Sequence, residues 1–354
     1  GSGHFLVAAA DMLRKMRMAE EGLTPAQAAE AVLRDNLFGL ELDPRCTQIA
    51  AFALAFDAWK TIGRYRPLPV PNLACSGIAI KGQLEDWRKL ARGEAAMADA
   101  LERLYELFQD APELGSLIDP RAAAGEGLWA VDPDRLIEKL EQALSRERVA
   151  DPAAAVFGSA AAGTAKAARL LAGRYWLVAT NPPFLGRGDQ GRVLAEFIQG
   201  DFYSARGDVA TAMIARFISS AALGLMACVS PQAWLYQARY EQFRRELLVQ
   251  HCIRLLGRLG PNAFETISGE KVNVAVALIG GPVSDGLLLA GIDAQLEATP
   301  AQKARSLATG SLVTVSQHHQ LGRPIAAISL EEGRHEELLG SYSDAWQGIA
   351  TSDY

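Results

Sequence analysis

Residues 174–190 read RYWLVATNPPFLGRGDQ, an apolar run of strand length that ends in Asn181-Pro182-Pro183-Phe184. Two consecutive prolines donate no backbone hydrogen bonds, and each extends the residue before it. The pair therefore makes a rigid exit from a strand. Such rigidity suits a place where the Asn181 side-chain carbonyl and the Pro182 main-chain carbonyl aim at one amino group. Two acceptors on the N–H bonds of a conjugated amine push its nitrogen towards tetrahedral geometry and free the lone pair for attack. This is catalysis by orientation and electrostatics, without a covalent intermediate. Phe184 offers a ring face for a base swung out of its duplex. The bland alternative is a Pro-rich strand exit with no chemistry, and the elements upstream decide between the two.

The chain opens on GSGHFLVAAADMLRKM, a Gly1-Ser2-Gly3 turn running into a helical pattern. Alone, the turn is either a linker or half of a functional loop. Residues 37–42, LFGLEL, form a strand-length apolar run that carries Glu41 near its end. In a doubly wound sheet an acid at the end of the second strand points at a nucleoside ribose, where a carboxylate accepts from both hydroxyls. Asp43 before Pro44 fits a helix N-cap with Pro at the first helical position. It is grouped with Gly1, Ser2, Gly3 and Glu41 as the candidate cofactor site. The turn lacks the GxGxxG phosphate cradle, and about forty residues separate it from the acid instead of about twenty. A nucleoside without pyrophosphate fits, and S-adenosylmethionine is the expected cofactor. The strand that such a unit places before its turn would precede Gly1.

The remaining pattern is α/β. Residues 4–34 read as helical, with Thr24-Pro25 as a start signal, and LACSGIAI (73–80) reads as a strand. From 81 to 174 the texture is Ala-, Glu-, Leu- and Arg-rich. One amphipathic helix is expected through EDWRKLARGEAAMADALERLYELF (85–108) and a second through PDRLIEKLEQALSRERV (133–149). Strands alternate with helices again up to VNVAVALIG (272–280), which predicts a mostly parallel sheet covered on both faces. The expected organisation is a discontinuous core of 1–80 and 175–282, a helical insertion at 81–174, a connecting region at 283–340, and the start of a further domain at 341–354.

Composition narrows the function classes. The net charge of −6 argues against a protein that coats polyanions indiscriminately. Residues 181–260 nevertheless carry nine Arg and no Lys against six Asp and Glu, a local positive face compatible with nucleic acid. Cys46, Cys75, Cys228 and Cys252 lie far apart in apolar stretches, which predicts free thiols and no zinc site. No run approaches bilayer length, AALGLMACV reads as a strand, and no leader pattern opens the chain, so a cytoplasmic location is expected. His4, His318, His319 and His335 form no triad pattern, and no P-loop or acidic metal motif suggests helicase or nuclease activity.

The order GSGHF, GLELDP, NPPF resembles motifs I, II and IV of the adenine-N6 DNA methyltransferases, the gamma-type, class I S-adenosylmethionine-dependent enzymes. SPQAWLYQARYEQFRRELL (230–248), LGPNAFETISGEKVNVAVALI (259–279) and AWQGIATSDY (345–354) extend the resemblance to the PglX-like methyltransferases of BREX phage defence, with related type IIG restriction–modification and DISARM methylases. The resemblance implies a Rossmann-like fold, S-adenosylmethionine without a metal, double-stranded DNA as partner, and a flipped adenine as target. It implies that Phe264 stacks on that adenine opposite Phe184, and that GIATSDY leads into a target recognition domain. Other defence-system proteins are possible partners. The chain departs from the family in lacking an acid in LACSGIAI, where Cys75 and Ser76 hold the position, and in ending on Ser352-Asp353-Tyr354 where GIxTGDN is usual.

Cytosine-C5 methylation needs a cysteine behind a proline, and none of the four has one. Glutamine methylation of release factors shares an NPPY motif, and cytosine-N4 methylation shares the chemistry but usually shows Ser-Pro-Pro. A truncated core that folds without turning over is the non-enzyme alternative.

Overall fold

The Gly1-Ser2-Gly3 turn leads straight into helix α1 (His4–Glu21), and α2 (Pro25–Asp35) follows after three residues. The computed structural model describes residues 1–91, 93–123, 152–221, 224–265, 272–284 and 286–331. Thr24 caps α2 as the sequence predicts. Its hydroxyl accepts from Gln27 N at 3.3 Å while Gln27 Oε1 accepts from Thr24 N at 3.0 Å, a reciprocal box with Pro25 behind it. Strand β1 (Phe38–Glu41), helix α3 (Pro44–Ile62) and strand β2 (Asn72–Cys75) come next, with β1 and β2 parallel and Glu41 in register with Cys75.

The chain divides into two compact units, Gly1–Pro231 with Val276–Gly281, and Gln232–Ala275 with Pro282–Tyr354. The first unit also holds β3 (Leu177–Thr180) and β4 (Leu225–Pro231), again parallel, with Thr180 in register with Cys228. Ala10, Val32, Leu33, Leu37, Leu54 and Leu73 form one core, where α1, α2 and α3 cover the strands. Helices α4 (Leu84–Leu90), α5 (Ala95–Leu107) and α6 (Pro152–Ala172) build a second around Trp87, Leu101, Leu104, Phe108 and Leu171.

Residues 85–108 are not one helix. They break between α4 and α5, where Gly93 takes a left-handed φ of 87°. Gly is the residue for which that conformation costs nothing sterically. The strand expected over 73–80 stops at Cys75, because Ser76 N bonds the Glu41 carbonyl at 2.8 Å and its hydroxyl meets Ser116 Oγ at 3.1 Å. The second expected helix, 133–149, lies outside the described residues.

Helices α7 (Arg192–Asp201) and α8 (Val209–Ile218) complete the first unit between β3 and β4. Arg216 on α8 is buried, and its guanidinium donates to Ile118 O at 3.0 Å, Leu171 O at 3.1 Å and Ser220 Oγ at 3.0 Å, with Asp119 Oδ2 at 3.4 Å. It thereby satisfies carbonyls at the end of α6 and in the 115–121 segment that would otherwise be buried without donors. Desolvation pulls its pKa down to about 10, against the opposing pull of Asp119, so the side chain stays charged at neutral pH.

In the second unit, β5 (Ile253–Gly260) pairs parallel with β7 (Leu288–Asp293), and β7 pairs antiparallel with β8 (Val313–Ser316). Strand β6 (Val274–Ile279) has residues in both units. Helix α9 (Glu241–Gln250) carries buried Arg244, which donates to Trp234 O at 2.7 Å, Gln237 O at 2.8 Å and Ile325 O at 2.6 Å. That grip holds Ile325 and Ala326 at φ of 50° and 49°, a left-handed conformation costly for a β-branched residue. The architecture is α/β, as the alternation predicts. No described helix is long and apolar enough to cross a membrane.

Replacing Arg216 with Met leaves the Ile118 and Leu171 carbonyls without this donor, while Ser220 Oγ keeps Arg121. The substitution is expected to lower stability by on the order of 3 kcal/mol, seen as a lower urea midpoint at an unchanged slope. A midpoint equal to that of the parent chain would show that the buried guanidinium is not what joins these segments.

Candidate functional site

The first group of candidate residues gathers where β1 and β2 end. Gly3 is the N-cap of α1 with φ 88° and ψ 13°, a left-handed conformation. A Cβ there would lie 2.9 Å from Ala50 Cβ and 3.0 Å from Ala50 Cα, so the turn sits directly on α3. Both the dihedral and the close approach demand glycine. Gly1 N lies against Glu41 Oε2, so the turn and the strand-end acid are neighbours. Ser2 Oγ lies 3.2 Å from His4 Nδ1.

Glu41 Oε1 accepts from Leu42 N at 2.9 Å, which fixes one carboxylate oxygen on the backbone and leaves the other directed at the turn. Asp43 does what its sequence context predicts. It caps α3 by accepting from Arg45 N at 2.8 Å, and its carboxylate pairs with the Arg45 side chain at 2.7 Å. The Arg45 side chain first, then its backbone N–H, hold the Asp43 carboxyl down at about 2. Because the folded pKa lies below the unfolded one, this contribution to stability is present above about pH 4 and is lost as pH falls through about 2. The Asp43 carboxylate is thus engaged by its own helix.

Cys75 and Ser76 follow β2. The Cys75 thiol donates to Leu42 O at 3.2 Å, and burial raises its pKa. Ser76 is fully buried and joins Glu41 O to Ser116. Burial also pushes the Cys228 thiol up to about 12, so it is un-ionised. All four cysteines are free; Cys75, Cys228 and Cys252 are buried and Cys46 is half-buried.

The second group is the loop after β3. Asn181 and Pro183 are exposed, Pro182 is buried and Phe184 is half-buried. Prolines alone do not hold this loop. Leu185 O accepts from Val209 N at 3.0 Å and from Gln190 Nε2 at 3.2 Å, Gly186 and Asp208 form an antiparallel bridge, and Arg187 N donates to Gly207 O at 3.3 Å. Asp208 in turn caps α8 by accepting from Ala210 N at 2.7 Å. The four residues are therefore clamped between a strand and the start of a helix, with Asn181 exposed.

Both groups belong to the first unit, and both lie at the C-terminal ends of parallel strands, where open α/β sheets bind ligands. Among the described residues no hydrogen bond or ion pair joins Asn181 to Gly1, Ser2, Gly3 or Glu41. Phe264 lies in the second unit after β5, with 38% of its surface exposed. Sequence reasoning missed the 207–209 segment. Its signal was Asp208, a polar residue followed by the apolar run of α8.

The family model for Eco57I restriction-modification methylase matches residues 35–264. The chain is 28% identical over 302 residues to adenine-specific methyltransferase BrxX of Escherichia coli O9:H4 (strain HS), covering 79% of this chain and 24% of that protein. It is 24% identical over 286 residues to adenine-specific methyltransferase PglX of Lacticaseibacillus casei (strain Zhang), covering 79% of this chain and 23% of that one. The chain thus spans about a quarter of the length of these curated relatives. Among solved structures, the DrdV–DNA complex matches with a TM-score of 0.54 at 14% identity, over 92% of this chain and 27% of that chain. A nuclease-deletion mutant of the Type ISP restriction-modification enzyme LlaGI, in complex with a DNA substrate mimic, matches with 0.51 at 13%, over 89% and 23%. At these identities the structural likeness shows the fold.

Gly3→Ala is expected to destabilise the first unit by about 2–4 kcal/mol, combining a left-handed backbone with contact against Ala50. Thermal unfolding checks this. An unchanged transition would mean that the turn does not need glycine.

Proposed function

The chain belongs to the Eco57I restriction-modification methylase family, and on that premise we propose that it is the methyl-transfer core of a DNA adenine-N6 methyltransferase in phage defence or restriction–modification. Its fold is the class I S-adenosylmethionine-dependent methyltransferase fold. The observation that carries the reading is the clamped Asn181–Phe184 loop at a strand end, within the span matched by the family.

S-adenosylmethionine suits the β1–β2 group by donor chemistry. Glu41 stands at the end of β1 with Oε1 held by Leu42 N, so its carboxylate would accept from a ribose hydroxyl. Gly1 has open space around it, and with Ser2 and Gly3 it would hold the methionine end. Asp43, spent on its cap, acts by shaping the turn. The cofactor supplies an electrophilic sulfonium methyl group when bound. Asn181 Oδ1 and the Pro182 carbonyl accept the two N–H bonds of the adenine amine and direct its lone pair. Phe184 stacks on the base.

In this reading 1–80 and 175–282 form the catalytic core, 81–174 is a helical insertion, 283–340 connects, and 341–354, outside the described residues, begins target recognition. Double-stranded DNA is the partner and the bacterial cytoplasm the location. Other proteins of a defence system are further partners.

Asn181→Ala is expected to reduce methyl incorporation into an adenine-containing duplex by about 10²–10³-fold while S-adenosylmethionine binding changes less than about twofold. Methylation surviving within about tenfold of the parent rate would remove Asn181 from the reaction. Glu41→Ala is expected to weaken cofactor binding by about tenfold or more in calorimetry, a loss of about 1.4 kcal/mol. Equal affinities would place the ribose elsewhere. A parent chain that folds but shows no heat of binding would favour the non-catalytic reading.

A further inference from the structure

The bridge that closes the catalytic loop also places two arginines beside it. Gly186 opposes Asp208, so Arg187, whose N–H bonds Gly207 O at 3.3 Å, lies across from the residue that follows Arg206. Arg187 is exposed and stands three residues after Phe184. The Arg206 guanidinium carbon sits 3.7 Å from the centroid of the Tyr203 ring, and its Nη1 donates to Tyr203 O at 2.6 Å. Half of the Tyr203 surface is exposed (50%), so the stacked pair stands at the surface.

These two arginines differ from many others on this surface. Arg17, Arg34, Arg45, Arg88 and Arg192 each form an ion pair with Asp or Glu. Neither Arg187 nor Arg206 pairs with a carboxylate among the described residues. A guanidinium held over an aromatic ring and bonded through one nitrogen has lost much of its rotational freedom, yet it keeps further N–H donors. Such a group is prepared for an anion that arrives from outside. A planar fork of donors matches a phosphate, and the neighbouring loop is the one that would take the base.

We propose that Arg187 and Arg206 clamp the backbone phosphates next to the target adenine, and that Tyr203 is a positioning residue that holds Arg206 in place. The inference rests on the methyl-transfer reading above and deepens it by naming how the loop engages the strand it acts on. The clamp carries no sequence information. It fixes the strand so that one base reaches Asn181 and Phe184.

The test combines duplex binding across a salt series with steady-state methylation, using a fluorescent adenine-containing duplex. Arg187→Ala and Arg206→Ala are each expected to lower the slope of log affinity against log salt by about 1, and to raise the duplex KM by about fivefold or more. kcat and S-adenosylmethionine affinity are expected to stay within about twofold of the parent. Tyr203→Ala should reproduce part of the Arg206→Ala effect, and Tyr203→Phe, which keeps the ring, should behave as the parent. Unchanged salt slopes in both arginine variants while methyl transfer continues would overturn the clamp and leave the proposed function standing. Lost slopes in a chain that transfers no methyl group would do the reverse, and a chain that binds no duplex would overturn both. A fall in kcat at constant KM would also count against the clamp, because it would place these residues in the chemical step.

Discussion

The attachment of the 181–184 loop at both ends is the constraint on which the proposed chemistry depends. On one side Thr180 is the last residue of β3, paired in register with Cys228. On the other, Leu185 and Gly186 are tied to Val209 and Asp208, and Asp208 is itself fixed as the cap of α8. Prolines limit which conformations the four residues adopt, but backbone pairing decides where they stand. Preorganisation of this kind lets two carbonyl acceptors hold an amine without moving at the moment of reaction. Burial of Pro182 beside an exposed Asn181 expresses the same division: one residue anchors and its neighbour faces outward.

The cofactor end is built on a different restriction. Gly3 lies against Ala50, so the start of α1 approaches the body of α3 too closely for a Cβ at position 3. That contact, with the Glu41 carboxylate held by Leu42 N, sets turn, acid and helix cap within one small region. Asp43 belongs to that region through structure. Its carboxylate serves Arg45 and the first turn of α3, which is why its pKa falls to about 2. The two acids two residues apart are therefore held differently, Asp43 by the first turn of its own helix and Glu41 by Leu42 N.

Much of this was legible in the sequence because it follows local rules. The Thr24 and Asp43 caps, the strands ending at Glu41 and Thr180, and the α/β alternation rest on short-range patterns of proline, acid and apolar residues. What escaped depends on partners far along the chain. Arg216 and Arg244 are each buried and donate to several main-chain carbonyls, and no local pattern in the sequence marks them. Periodicity cannot reveal a carbonyl that needs a donor. Ser76 bonds Glu41 O and Ser116, a partner forty residues later that no local pattern announces. The break at Gly93 was hidden by the strong helical texture on either side.

A shared acceptor geometry suits several planar amines, so the identity of the methylated atom is the sharpest point of the account. Incubating the protein with duplex DNA and isotope-labelled S-adenosylmethionine, then separating the nucleosides by mass spectrometry, reads that atom directly. The account predicts label in N6-methyladenine, absent when Asn181 is replaced. Label in N4-methylcytosine or 5-methylcytosine, or in protein and not DNA, would contradict it.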